Sequence, residues 1–169
     1  MEFEMTDEQR MLQDMAREFA RKEIAPVARE LDRDRRFPYE LWNKLKELSL
    51  PGILVPEEYG GQGLDPLTYA IVLEELARAD DSFAAIFQVH VLVTEMYRLY
   101  ASKEHKEKFL PILASGDKLG GFALTEPNAG SDASARSYSC LPCLPSGFSA
   151  AYARIAAREA GGSGRAKCA

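Results

Sequence analysis

The sequence has little of what metal-binding and nucleic-acid-binding proteins use. It contains two histidines and three cysteines among 169 residues, and its net charge is −5. Two histidines without carboxylates at a fixed spacing do not make a metal site, so we expect no metal ion. A negative chain also argues against a nucleic-acid partner, because phosphate contacts need a basic surface.

Long apolar runs are absent as well. The longest, FAAIFQVHVLV, is interrupted by Gln88 and His90 and is far shorter than the roughly 20 residues of a membrane-spanning helix. The acidic start, MEFEMTDEQRMLQDM, lacks the basic and apolar regions of a secretory signal. We therefore expect no membrane span and a cytoplasmic location in a bacterium, with the mitochondrial matrix left open for a mature protein.

What is present is a series of apolar residues at helical spacing. Thr6 and Gln9 form a capping box, and Pro26 should bend the helix that begins there. The fourth predicted helix, from about Ser82 to Leu99, is apolar nearly all round, which predicts the centre of a bundle. The predicted helix starts are Thr6, Pro38, Asp65, Ser82 and Ser102.

A strand and a change of composition follow the helices. GGFAL gives the first strand signal, and beyond about residue 135 the chain becomes rich in Ala, Gly and Ser and holds all three cysteines. The tail carries five basic residues against one acidic, so the first 135 residues carry a charge of −9. We expect a mostly α fold with a helical domain at 1–118, a strand and turn at 119–135, and a tail at 136–169. The tail is either disordered or a short helix over AAYARIAAREA.

Several polar features have a structural interpretation. The glycine-rich loop 57–65 is read as a tight connection between helices, since it has no lysine and does not follow a strand. His90 is read as a hydrogen-bonded core residue. Glu74 and Glu75 are read as a solvated helix edge, and Asp80 with Asp81 as a helix cap. The cysteines of CLPC lack the strand and helix of a redox pair, so we predict none there.

One stretch, FALTEPNAGSD (122–132), admits two interpretations. Pro127 stiffens the turn, while Ala129 and Gly130 leave backbone N–H groups nearly bare. Such a surface can hydrogen-bond the edge of a flat polar ring or a pyrophosphate. It can equally be an ordinary turn, and spacing alone does not separate the two.

A family resemblance favours the first interpretation. ALTEPNAGSDASA resembles the flavin-contacting motif of the acyl-CoA dehydrogenase family. PGILVPEEYGGQGLDPLTYAIVLEELARADDS and KEHKEKFLPILASGDKLGGFALTEP are similar to the N-terminal helical domain of that family in order and spacing. The resemblance implies an FAD-dependent oxidoreductase that oxidises the α,β C–C bond of an acyl-CoA, with hydride passing to flavin N5. It also implies reoxidation by an electron-transferring flavoprotein and a homotetramer.

The resemblance implies roles for particular residues. Thr125 would hydrogen-bond the flavin ring, Ser131 would contact both flavin and acyl-CoA, and the first four helices would form the outer wall of the acyl pocket. No catalytic residue is expected in this chain, because the family's glutamate base belongs to a later domain. The implied cofactor-binding residues are Phe122, Ala123, Leu124, Thr125, Gly130 and Ser131.

After Asp132 the sequence departs from the family pattern. The strands and the tryptophan-bearing hairpin that follow in the family are replaced by RSYSCLPCLPSGFSAAYARIAAREAGGSGRAKCA. We expect an incomplete, inactive dehydrogenase whose tail arose from a frameshift or a fusion. The alternatives are a non-catalytic helical module that binds a partner, and a piece of a related acyl-CoA oxidase or flavin monooxygenase.

Overall fold

The protein is a helical bundle with one short antiparallel sheet. The computed structural model describes residues 4–123, 130–131 and 152–156, with backbone alone for Ala123 and 152–156. The predicted mostly α class is confirmed. The elements are α1 (Asp7–Phe19), α2 (Ala28–Asp34), α3 (Tyr39–Glu47), α4 (Pro66–Ala77), α5 (Asp81–Tyr100), α6 (Lys103–Ala114), β1 (Leu119–Ala123) and β2 (Tyr152–Ala156).

Side-chain caps begin α1, α4 and α6 where the sequence predicts. The Thr6 hydroxyl accepts the Gln9 N–H at 3.1 Å, and the Thr6 N–H donates to Gln9 Oε1 at 3.0 Å. Asp65 accepts from the backbone of Thr68 ahead of α4, and Ser102 caps α6. These contacts satisfy N–H groups that have no partner inside the helix, so each one fixes the residue at which the helix starts.

The predicted bend at Pro26 is an interruption of the helix. After α1 ends, the chain forms a π-helical turn over Ala20–Ile24, in which the Ala25 N–H donates to the Ala20 carbonyl at 2.9 Å. Pro26 has no N–H with which to continue the series, and α2 starts only at Ala28. The apolar stripe nevertheless continues across the break, since Phe19, Ile24 and Leu31 all join the core.

Helix α5 is the centre of the bundle and packs against α4, α6 and β1. Its burial is one-sided, however, because Leu92 is 43% exposed and Leu99 is 52% exposed. The predicted place at the centre of the bundle is confirmed, while this one apolar face of the helix stays exposed. The largest fully buried core side chains include Ile24, Leu45, Leu50, Ile53, Leu76, Phe83, Phe87, Leu110 and Leu113.

The tail contributes a strand, β2, within the stretch for which a short helix is one of two expectations. β2 pairs antiparallel with β1, with Leu119 opposite Ala156 and Ala123 opposite Tyr152. An isolated alanine-rich helix of this length is marginal in water. The free edge of β1 offers the same backbone a row of hydrogen-bonding partners from a distant part of the chain, which local sequence cannot reveal.

Candidate functional site

The candidate cofactor-binding segment begins on β1. Phe122 lies near the end of this strand with 37% of its surface exposed, and both Gly130 and Ser131 are exposed. The other predicted residues, Leu124 and Thr125, lie outside the described residues, as does the side chain of Ala123. The described part of the segment thus offers solvent an aromatic ring, a glycine backbone and a hydroxyl-bearing residue.

The strand that carries Phe122 lies directly on α5. A Cβ atom added to Gly120 would lie 2.7 Å from Val93 Cβ and 2.9 Å from Val93 Cγ1, closer than real side chains approach. Only glycine therefore lets the strand backbone come this near the helix. Because residues two apart on a strand share a face, Gly120 and Phe122 project to the same side of β1.

His90 joins β1 to the helices and is fully buried. Its Nδ1 accepts the Gly120 N–H at 3.0 Å, and its Nε2 lies 3.1 Å from the Leu113 carbonyl oxygen. A backbone N–H can only donate and a carbonyl can only accept, so the ring proton is assigned to Nε2. Burial lowers the pKa of His90 to about 4, which keeps the imidazole neutral near pH 7. The interpretation as a hydrogen-bonded core residue is confirmed.

Trp42, on α3, contributes to the same contact region between the helices and β1, which we call the joint and which consists of His90, Trp42, Gly116 and Gly120. Its ring meets His90 edge-on, with centroids 5.0 Å apart, and its Nε1–H donates to the Gly116 carbonyl at 2.9 Å. The connection from α6 to β1 is thus held by two buried rings. Sequence reasoning missed this arrangement, since the partners lie 30 and 74 residues apart and no local pattern links them.

The glycine-rich loop is a structural connection, as predicted. The N–H groups of Gly60, Gly61 and Gly63 donate to the carbonyls of Glu57, Pro56 and Val55. All three glycine amides are therefore used within the loop and its preceding turn. They cannot also hold a phosphate without breaking these hydrogen bonds.

The interpretation of Glu74 and Glu75 as one solvated edge is wrong for Glu75. Glu74 is exposed and pairs with Arg78, whereas the Glu75 side chain is only 2% exposed. Arg17 on α1 donates to both Glu75 oxygens, from Nη2 at 2.9 Å and from Nε at 3.2 Å. These hydrogen bonds raise the pKa of Arg17 and link α1 to α4. The predicted cap at Asp80 is confirmed, since its carboxylate accepts the Ser82 N–H.

The part of the chain that the structure describes contains neither a metal-binding cluster nor a membrane-spanning helix. It contains no group of three or more histidine, cysteine, aspartate or glutamate side chains that could hold a metal ion. None of its helices combines the length and the apolar character needed to cross a membrane.

Comparisons with known proteins identify relatives of the helical part of the chain. Residues 6–117 match the family model for the acyl-CoA dehydrogenase N-terminal domain. An acryloyl-CoA reductase (NADH) of Anaerotignum propionicum is 45% identical over 135 residues, which cover 80% of this chain and 34% of that protein. The chain spans about a third of the length of the curated relatives it matches.

Solved structures share the fold. A chain from a study of the electron transferring flavoprotein of Acidaminococcus fermentans aligns with a TM-score of 0.76 and 40% identity, covering 80% of this chain and 36% of that one. The glutaryl-coenzyme A dehydrogenase in its glutaryl-CoA complex aligns with a TM-score of 0.75 and 39% identity, covering 81% and 36%.

Proposed function

The chain belongs to the acyl-CoA dehydrogenase family, and we propose that it supplies the helical wall and the flavin-contacting strand of an FAD-dependent acyl-CoA dehydrogenase. The reaction of such an enzyme is oxidation of the α,β C–C bond of an acyl-CoA thioester. The observation that carries the proposal is the exposure of Phe122, Gly130 and Ser131, the first of which lies on a strand packed against α5.

The exposed residues suit a flat aromatic cofactor. Phe122 offers an accessible ring for packing, and Gly130 places no side chain between its backbone and a ligand. In this proposal Thr125 donates a hydrogen bond to the ring, and Ser131 contacts both FAD and the acyl-CoA. FAD, when bound, supplies the hydride acceptor at N5, while the protein binds and orients the reactants.

The uncovered face of α5 suits an acyl chain. Leu92 and Leu99 are seven residues apart and so lie on one side of the helix, and both are largely exposed. We assign this face to the outer wall of the acyl pocket. The proposal also includes an electron-transferring flavoprotein as the electron acceptor and a homotetramer as the assembly, as the family resemblance implies.

This chain alone should bind reactants without converting them. Among the described residues, Glu75 is the one carboxylate in the core, and Arg17 holds both of its oxygens. A carboxylate in such a pair is not free to take the α-proton of a substrate, because giving up its charge would leave Arg17 without its partner. In this proposal the described helical part contributes binding and orientation, and its one buried carboxylate is not the base.

A flavin titration tests the proposal. The 169-residue chain is titrated into FAD, and the flavin fluorescence and absorbance are followed. We expect saturable binding that Thr125→Val or Ser131→Ala weakens about tenfold, because each removes one hydrogen bond to the ligand. Ser82→Ala is the matched control, since it removes an exposed hydroxyl at the start of α5. Equal affinities for all four proteins, or no binding at all, would refute the assignment.

A second measurement addresses turnover. Butyryl-CoA is added without oxygen to the FAD-loaded chain, and flavin absorbance reports any reduction. We expect the absorbance to stay unchanged apart from a small binding perturbation. Bleaching of the flavin would show that the chain supplies its own base, against the argument from Glu75.

A further inference from the structure

The joint between α5 and β1 bears on how the candidate segment is held. The Gly120 backbone lies too close to Val93 for any side chain, and its N–H is bonded to His90. Phe122 follows two residues later on the same face of the strand. A displacement of Gly120 along or away from α5 would therefore displace the aromatic ring by a similar distance.

The imidazole of His90 is well suited to fix that position. It bonds at once to a strand amide and to the Leu113 carbonyl near the end of α6, and each bond uses a different ring nitrogen. Trp42 packs against the edge of the ring and holds the Gly116 carbonyl between these two points. The path from α6 into β1 is thus held at three backbone groups, those of Leu113, Gly116 and Gly120.

We propose that His90, supported by Trp42, is a positioning residue that sets where β1 leaves the helical body and thereby holds Phe122 in place for a flavin. The inference rests on the proposed function for its ligand, but the anchoring of β1 stands on the geometry alone. His90 does not touch the cofactor; it acts through the strand. The ring fits this role because it is neutral and can accept the Gly120 N–H.

Two substitutions at His90 separate its two hydrogen bonds. The Oδ1 atom of asparagine can take the place of imidazole Nδ1, so His90→Asn keeps an acceptor for the Gly120 N–H. The amide of glutamine reaches to the position of Nε2, so His90→Gln keeps a donor for Leu113 and loses the acceptor for Gly120. A residue that merely filled the core would give the opposite order, because asparagine is smaller than glutamine and leaves the larger cavity.

Amide hydrogen exchange, read by NMR on the full chain, measures the anchoring. We expect exchange at Gly120 and Phe122 to rise about tenfold in His90→Gln and to stay within about threefold of wild type in His90→Asn. FAD affinity should follow the same order. Equal exchange in the two variants, or altered exchange with unaltered FAD affinity, would overturn the inference.

Two further outcomes are also decisive. If His90→Gln does not fold, Trp42→Phe replaces it, because phenylalanine keeps a ring beside His90 while it removes the hydrogen bond to Gly116 and part of the buried indole. Faster exchange on β1 then supports the joint, and unchanged exchange overturns it. If the wild-type chain binds no FAD, the proposed function and the flavin part of this inference both fail, while the exchange comparison still decides the anchoring of β1.

Discussion

Replacing Gly120 by alanine should destabilise the protein, because the space for a side chain is already filled. The new Cβ would lie 2.7 Å and 2.9 Å from two atoms of Val93, where ordinary contacts begin at 3.4 Å. Val93 is β-branched and lies on a helix, so its side chain has one strongly preferred rotamer and cannot turn away cheaply. Either the strand or the helix must shift.

The size of the effect follows from this overlap. Overpacking a well-filled core typically costs about 1–3 kcal/mol, and a contact about 0.7 Å too short places Gly120→Ala near the middle of that range. Any shift of the strand also stretches the hydrogen bond to His90. The free energy of unfolding should fall by about 2 kcal/mol, which lowers the urea midpoint by about 1 M. Trp42, the single tryptophan, reports unfolding of this joint by fluorescence, and circular dichroism reports the helices.

A second substitution decides whether the overlap is the cause. Val93→Gly alone should destabilise by leaving a cavity and by placing glycine inside a helix, but together with Gly120→Ala it removes the Cβ and Cγ1 atoms that the added methyl group would meet. We expect the double variant to be more stable than the sum of the two single changes predicts, by about 1 kcal/mol or more. Additive effects, or a Gly120→Ala change below about 0.5 kcal/mol, would refute the reasoning.

Two other predictions concern buried charge and pH. Glu75→Gln should lower the free energy of unfolding by about 1–3 kcal/mol, because Arg17 loses its charged partner, whereas Glu74→Gln should change it by less than about 0.5 kcal/mol; equal urea midpoints would contradict this. The pKa of His90 is about 4 in the folded protein against an ordinary 6.5, so the unfolded chain takes up the proton first. The free energy of unfolding should therefore fall as the pH drops from 7 towards 4, by up to about 3 kcal/mol. Urea titrations of His90→Asn should lack the part of this fall between pH 6.5 and 5, and an unchanged pH profile would contradict the assignment.

The sequence predicts those features that depend on neighbouring residues. The capping box of Thr6 with Gln9 and the cap of Asp65 before Pro66 each involve residues within a few positions of one another, so the pattern can be read directly. The predicted helix from about Ser82 to Leu99 differs from α5 by one residue at each end. Local chemistry sets these boundaries, and distant contacts only reinforce them.

Features that depend on distant residues are the ones that the sequence did not predict. From its neighbours alone, Glu75 is predicted to be exposed like Glu74. It is buried because Arg17, 58 residues earlier in the chain, donates hydrogen bonds to it. The strand β2 exists because β1 presents an edge, and nothing within residues 152–156 announces that partner. The same holds for the candidate site, where the motif predicts which residues would contact a flavin but gives no sign that His90 bonds to the strand.

The glycine-rich connection between Val55 and Asp65 has a practical consequence. A Cβ atom on Gly61 would lie 2.1 Å from the Val55 carbonyl oxygen, and Gly60 and Gly63 both adopt positive φ angles, of 81° and 61°. The composition of the segment suggests a flexible loop that would tolerate an inserted epitope tag and would be cut by a protease. Its backbone is instead packed against the turn before it. An insertion there would disrupt this packing, and a protease, which binds its substrate in an extended conformation, would cut the segment slowly.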